Sequence, residues 1–189
     1  MSISLVWTIL LYGWTASEIY IAVATRTRQS GGQVRDRGSM LILWATIVGS
    51  ITAAEYARHL TSFPIFANFH DLRLIAIPLM VAGLVVRWTA IFSLGKAFSA
   101  NVAIRDTQSL YRSGLYSVVR HPSYSGMLII FLAIALADRN WLSAAFVLIF
   151  PTAALIYRIH VEEAALLGAF GAKYADYSRT TKRLIPGIY

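Results

Sequence analysis

"YSGMLIIFLAIALADRNWLSAAFVLIFPTAALIYR", residues 124–158, is two apolar runs separated only by Asp138-Arg139-Asn140. A bilayer core takes about 20 apolar residues per helix. Residues 140–158 meet that length. Residues 124–137 are short alone, but Pro122 suits a first helical turn and moves the start of the helix upstream. So small a polar break predicts a tight helical hairpin. Working outward, three further runs qualify: residues 3–24, 39–57 and 72–94. The pattern predicts an all-α integral membrane protein with five transmembrane helices, in a single domain over residues 1–189.

Composition supports that class. Of 189 residues, 57% are apolar and 14% are charged, against about 25% charged in soluble domains. Mean hydropathy is +0.59. Cysteine is absent, which excludes disulfides, thiolate nucleophiles and Cys-ligated metals. The net charge of +8 lacks the basic stripe with interleaved aromatics that nucleic acid calls for. It is better read as the Lys and Arg of cytoplasmic loops. Ala22-Val23-Ala24 looks like a signal cleavage site, but no Lys or Arg precedes the run, so residues 3–24 read as a retained helix.

Charge also sets the expected orientation. Loop 26–37 holds four Arg, segment 95–123 holds Lys96, Arg105, Arg112 and Arg120, and the tail holds Arg158, Lys173, Arg179, Lys182 and Arg183. With five helices these regions share one side, and Arg58, Arg73 and Arg139 fall on the other. The positive-inside rule puts the N-terminus outside and the C-terminus in the cytoplasm. In the outer loop 58–71, Phe63, Phe66 and Phe69 are three apart, a spacing that suits an interfacial helix.

Ionisable residues inside apolar helices are functional candidates, and Glu18, Glu55 and Arg87 are of this kind. Glu18 and Glu55 could equally snorkel or pair near helix ends. A denser cluster is expected on the cytoplasmic side, in "NVAIRDTQSLYRSGLYSVVRHPSYSG" (101–126) and "YRIHVEEAALLGAFGAKYADYSRTTKRLIPG" (157–187). Arg158 and Glu162 are four apart and share a helix face, whereas Glu163 points elsewhere. Arg120 is expected to face headgroups or water. His121 and His160 lack HxxxH or HExxH spacing, which argues against a metal site. Gly31-Gly32 and "GAFG" lack the setting of a dinucleotide fingerprint.

"SGLYSVVRHPSYSG", followed by "EEAALLGAFGAKYADY" and "RLIPG", resembles the isoprenylcysteine carboxyl methyltransferase family, with phospholipid methyltransferases sharing the broad pattern. The resemblance covers roughly residues 98–187. It implies a cytoplasmic cofactor region over residues 95–189 flanking the helical hairpin, and substrate-facing helices over 1–94. It implies an S-adenosylmethionine site, with S-adenosylhomocysteine as product. By position, His121, Pro122, Ser123 and Tyr124 would bind the cofactor, together with Tyr116 and the stretch Gln108, Ser109, Leu110 and Tyr111. Asn101 and Glu162 also match cofactor-binding positions. Arg158 matches the arginine assigned to the substrate and is the catalytic candidate. The implied acceptor is a lipid-like molecule, such as a prenylcysteine carboxylate, reached from the membrane.

The chemistry suits these residue types. Methyl transfer is a direct displacement in which the protein aligns nucleophile, methyl and sulfur. A carboxylate nucleophile is already ionised and needs a cationic partner such as Arg158. An amine acceptor, as in phospholipid N-methylation, would instead need a base from Glu162, Glu163 or His160. Two other readings stand beside this one. A membrane reductase of the sterol C14-reductase type would use NADPH on a similar C-terminal pattern, usually with Asn where this chain has Ser123. A membrane scaffold without catalysis would tolerate loss of Glu162 or Arg158.

Overall fold

The structure, a computed structural model, describes residues 2–25, 33–34, 38–60, 63–65, 71–95, 98, 103–104 and 109–189. Each apolar run of the sequence is a helix. These are α1 (Ile3–Ala24), α2 (Ser39–Leu60), α3 (Arg73–Leu94), α4 (Pro122–Asp138) and α5 (Trp141–Phe170). A 3₁₀ turn at Gly114–Ser117 precedes α4, and a short helix α6 (Ala172–Thr180) follows α5. Two-residue strands β1 (Gln33–Val34) and β2 (Ala103–Ile104) pair antiparallel.

Among the described residues, α1, α2, α3 and α5 are long and apolar enough to cross a membrane. α4, at 17 residues, is about 25 Å long and falls short of a core about 30 Å thick. Of the five transmembrane helices expected, four meet that length, and α4, whose run already reads as short in the sequence, is a shorter apolar helix. α4 lies at the centre. It packs on both α3 and α5, while α2 packs on α5 and α1 on α3. Ile130, Phe131, Ala133 and Met127 of α4 are buried with Met80 of α3 and Leu155 of α5. A helix apolar on all sides is one that neighbours surround. The edge of the Phe131 ring meets Trp14 of α1, centroids 6.3 Å apart at 85°.

The α3–α4 crossing is close because both helices carry glycine there. A Cβ on Gly126 would lie 2.8 Å from the Arg87 backbone nitrogen and 2.8 Å from the Gly83 carbonyl.

The α4–α5 hairpin is as tight as its three-residue break predicts. Arg139 takes the left-handed conformation at φ 55°. Asn140 caps α5, its side-chain oxygen accepting from the amides of Leu142 at 2.9 Å and Ser143 at 3.1 Å, which satisfies two otherwise orphaned donors. The turn is clamped by residues 63–65. The Ile65 amide donates to Arg139 and the Phe63 carbonyl accepts from Trp141. Phe63 and Ile65 thus lie in a bridged, non-helical segment and not in the interfacial helix expected there, because the hairpin takes up their backbone groups; Phe66 and Phe69 lie outside the described residues. α5 also runs on to Phe170, well past Arg158 where its apolar run ends.

Candidate active site

Two distant segments meet at the start of α4. The Arg120 amide donates to the Lys182 carbonyl at 2.7 Å, and the His121 amide to Arg183 at 3.0 Å. Ser125 Oγ donates to the Leu184 carbonyl at 2.6 Å. Pro122 then opens the helix and is fully buried; it has no N–H to satisfy in a first turn. This pairing holds the Arg-His-Pro motif against the last turns of α5.

On α5, Glu162 and Glu163 separate two clusters. Glu163 Oε1 accepts from Arg120 Nε at 2.9 Å, and Oε2 accepts from Arg183 Nε at 2.9 Å and lies 2.8 Å from Arg183 Nη2. His121 Nε2 lies 3.4 Å from Glu163 Oε1. Arg120 also donates through Nη1 to the carbonyls of Ser178, at 2.8 Å, and Thr181. Arg120 is therefore turned inward. The expectation that it faces headgroups or water is corrected, because Glu163 and the carbonyls at the C-terminal end of α6 solvate it in place of water.

Glu162 faces the other way. Its Oε2 accepts from the Tyr124 hydroxyl at 2.8 Å, and the same hydroxyl accepts from Arg158 Nε at 2.9 Å. Arg158 Nη1 donates to Ser39 Oγ at 3.0 Å, from the first turn of α2. His121 Nδ1 lies 3.7 Å from Glu162 Oε2, and its ring stacks on Tyr124, centroids 5.6 Å apart. The helical spacing placed Arg158 and Glu162 on one face; Tyr124 is what joins them.

A second buried cluster adjoins the first. Arg87 of α3 forms a two-pronged ion pair with Glu18 of α1, through Nε and through Nη2 at 2.5 Å. Arg87 Nη1 donates to Ser123 Oγ at 2.8 Å. The Tyr124–Arg158 cluster and the Glu18–Arg87 cluster border one open pocket, with Glu18, Arg87, Tyr124 and Arg158 as its polar groups and Leu43, Trp44, Ile47 and Met127 among its apolar ones.

Tyr116 sits behind this layer. It is buried, its hydroxyl donates to the Ala90 carbonyl at 3.3 Å, and its own carbonyl accepts from the Tyr177 hydroxyl at 2.5 Å. Burial pushes the Tyr116 phenol well above its ordinary range and the Tyr177 phenol up to about 12. Both remain neutral donors at physiological pH. Tyr111 meets Tyr116 edge to face at 5.6 Å. Ser109 is exposed and Leu110 half-buried in coil. Asn101 and Gln108 lie outside the described residues. Of the residues singled out beforehand, His121, Ser123, Tyr124, Arg158 and Glu162 are brought together. Glu55 is not: it is exposed and pairs with Arg58 and His59 near the end of α2. His160 is also exposed. Among the described residues no group of three or more His, Asp or Glu is arranged to hold a metal ion. Ser39 was missed, since a lone serine at the start of an apolar run carries no signal beyond helix capping.

Comparison with known proteins points to one kind of chemistry. Residues 75–168 match the isoprenylcysteine carboxyl methyltransferase family. The chain is 28% identical over 140 residues to protein-S-isoprenylcysteine O-methyltransferase B of Arabidopsis thaliana, covering 73% of this chain and 71% of that one. It is 32% identical over 120 residues to the protein-S-isoprenylcysteine O-methyltransferase of Dictyostelium discoideum, covering 58% and 47%. It is also 35% identical over 103 residues to methanethiol S-methyltransferase 2 of Bradyrhizobium diazoefficiens, covering 52% and 38%.

Proposed function

For a chain of the isoprenylcysteine carboxyl methyltransferase family, a methyltransferase and a multi-pass integral membrane protein, we propose transfer of the S-adenosylmethionine methyl group to the carboxylate of a lipid-like acceptor of the prenylcysteine type. The observation that carries this reading is the Tyr124 hydroxyl, held between Arg158 and Glu162 at an apolar cavity.

The residues suit both reactants. The methyl donor supplies an electrophilic methyl group on a sulfonium, and carries an ammonium and two ribose hydroxyls. Glu162, with Oε2 on Tyr124 and a side chain 31% exposed, offers a carboxylate to those groups. The stacked rings of His121 and Tyr124 offer aromatic faces to adenine or a cation. Arg158 is held at Nε and Nη1, which fixes the plane of its guanidinium. A planar fork orients a carboxylate nucleophile without taking its charge away. No general base is needed, because a carboxylate is ionised at neutral pH.

In this reading the protein crosses the membrane five times, with the short α4 enclosed by its neighbours. The N-terminus is outside, and the site and C-terminus face the cytoplasm, where the basic loops lie. The three N-terminal helices face the acceptor, which enters from the lipid, and residues 95–189 hold the cofactor.

Calorimetry on the detergent-solubilised protein tests the reading, with S-adenosylhomocysteine and NADPH as parallel ligands. Binding of S-adenosylhomocysteine alone is expected. Binding of NADPH alone would overturn it in favour of a membrane reductase. Turnover of methanethiol but not of a prenylcysteine analogue would keep the methyl donor and replace the acceptor.

A further inference from the structure

We propose that Glu18 of α1 is a positioning residue for methyl transfer, acting through Arg87 on the first turn of α4. The inference rests on the methyltransferase reading above, and Glu18 lies outside the family-matched stretch of residues 75–168.

Glu18 and Arg87 are 2% and 5% exposed, inside apolar helices. Stability alone gives little reason to keep such a pair, because well-packed apolar residues at a buried ion pair are often as stable or more so. Ionisable groups at membrane depth mark functional sites by default.

The contacts say what this pair does. The α3–α4 crossing already fixes the Arg87 backbone, which lies against Gly126. The direction of its long side chain is the remaining freedom. Glu18 removes it: both carboxylate oxygens take the Nε and Nη2 edge of the guanidinium, and Trp14 Nε1 donates to Glu18 Oε1 at 3.2 Å. Nη1 is thereby aimed at Ser123, donating to Oγ at 2.8 Å and to the carbonyl at 3.3 Å. Ser123 is the residue before Tyr124, whose hydroxyl stands between Arg158 and Glu162. A chain of contacts thus runs from α1 to the proposed cofactor and acceptor groups.

Glu18 also has an electrostatic task. Arg87 and Arg158 border the same cavity. An Arg87 without its carboxylate would offer an acceptor anion a second guanidinium, away from the methyl donor. With Glu18 in place, the Arg87 guanidinium is already held by a carboxylate.

The test compares Glu18→Gln with the double variant Glu18→Leu/Arg87→Met, both purified in detergent. The double variant removes both charges and is expected to unfold within a few degrees of the unaltered protein. It is expected to bind S-adenosylhomocysteine at least tenfold more weakly by calorimetry, because the first turn of α4 is no longer held. Glu18→Gln is expected to lower kcat at least tenfold and to lower KM with it, as non-productive acceptor binding at Arg87 does. Glu18→Asp, which keeps the charge, is expected to recover part of both losses. A double variant with unchanged S-adenosylhomocysteine affinity and unchanged turnover would overturn the proposal, whatever its melting temperature. Absence of S-adenosylhomocysteine binding in the unaltered protein would overturn the methyl-donor reading, and this inference with it.

Discussion

Arg158 Nε points at the hydroxyl oxygen of Tyr124 from 2.9 Å, joining α5 to α4 across 34 residues of sequence. The contact makes Tyr124 an acceptor toward the cation and a donor toward Glu162. Tyr124→Phe keeps the ring on His121 and deletes both bonds. Two charged partners then lose a buried partner, which costs about 1–3 kcal/mol. The expected result is a lower melting temperature and an S-adenosylhomocysteine affinity reduced about tenfold, read by thermal unfolding and calorimetry on the same preparation. An unchanged affinity would remove Tyr124 from the cofactor site.

Arg158→Lys keeps the positive charge and loses the planar fork that reaches Tyr124 and Ser39 together. An ammonium cannot hold a carboxylate by two parallel bonds. Methyl transfer should fall by at least a hundredfold, with S-adenosylhomocysteine affinity within about threefold of the original. Glu162→Ala should do the reverse and weaken the cofactor first. Normal turnover in the lysine variant would end the assignment of Arg158 to the acceptor.

Gly126→Ala places a methyl 2.8 Å from two backbone atoms of α3, neither of which can rotate away. α3 must retreat, at about 1–3 kcal/mol for overpacking. Because Arg87 moves with α3, activity should fall more than stability does. Gly49→Ala in α2 meets nothing within 4 Å and should stabilise by about 0.5–1 kcal/mol through reduced backbone entropy. Parallel thermal unfolding of the two variants checks both signs.

Glu163→Gln leaves Arg120 and Arg183 without their shared carboxylate. The side chain is 13% exposed, so a loss of about 2 kcal/mol is expected, between the surface and buried extremes. The effect should be local. Amide hydrogen exchange should quicken at Arg120 and His121, whose partners are Lys182 and Arg183, and stay slow in the middle of α4.

Much of this was legible in the sequence, for specific reasons. The bounds 3–24 and the hairpin at 138–140 follow from apolar run length and from a polar break too short for anything but a tight turn. The Arg158–Glu162 face followed from helical spacing. The partner of Glu18 did not, because no periodicity links residues 69 apart. A usable signal was present in depth: Glu18 and Arg87 each stand about two turns from the C-terminal ends of α1 and α3, the first and third apolar runs, which alternate crossing makes run the same way. The inward turn of Arg120 was hidden too. A basic residue beside an apolar run reads as an anchor until a carboxylate from another helix is placed on it.

The pairing of residues 119–121 with 182–183 makes the order of synthesis matter. The amides of Arg120 and His121 leave the ribosome before α4 and α5, and the carbonyls they need follow both. The polypeptide therefore cannot close this junction until α4, α5 and the tail after them have all been made. A chain that ends before Lys182 lacks the carbonyls that hold the Arg-His-Pro segment beside the last turns of α5.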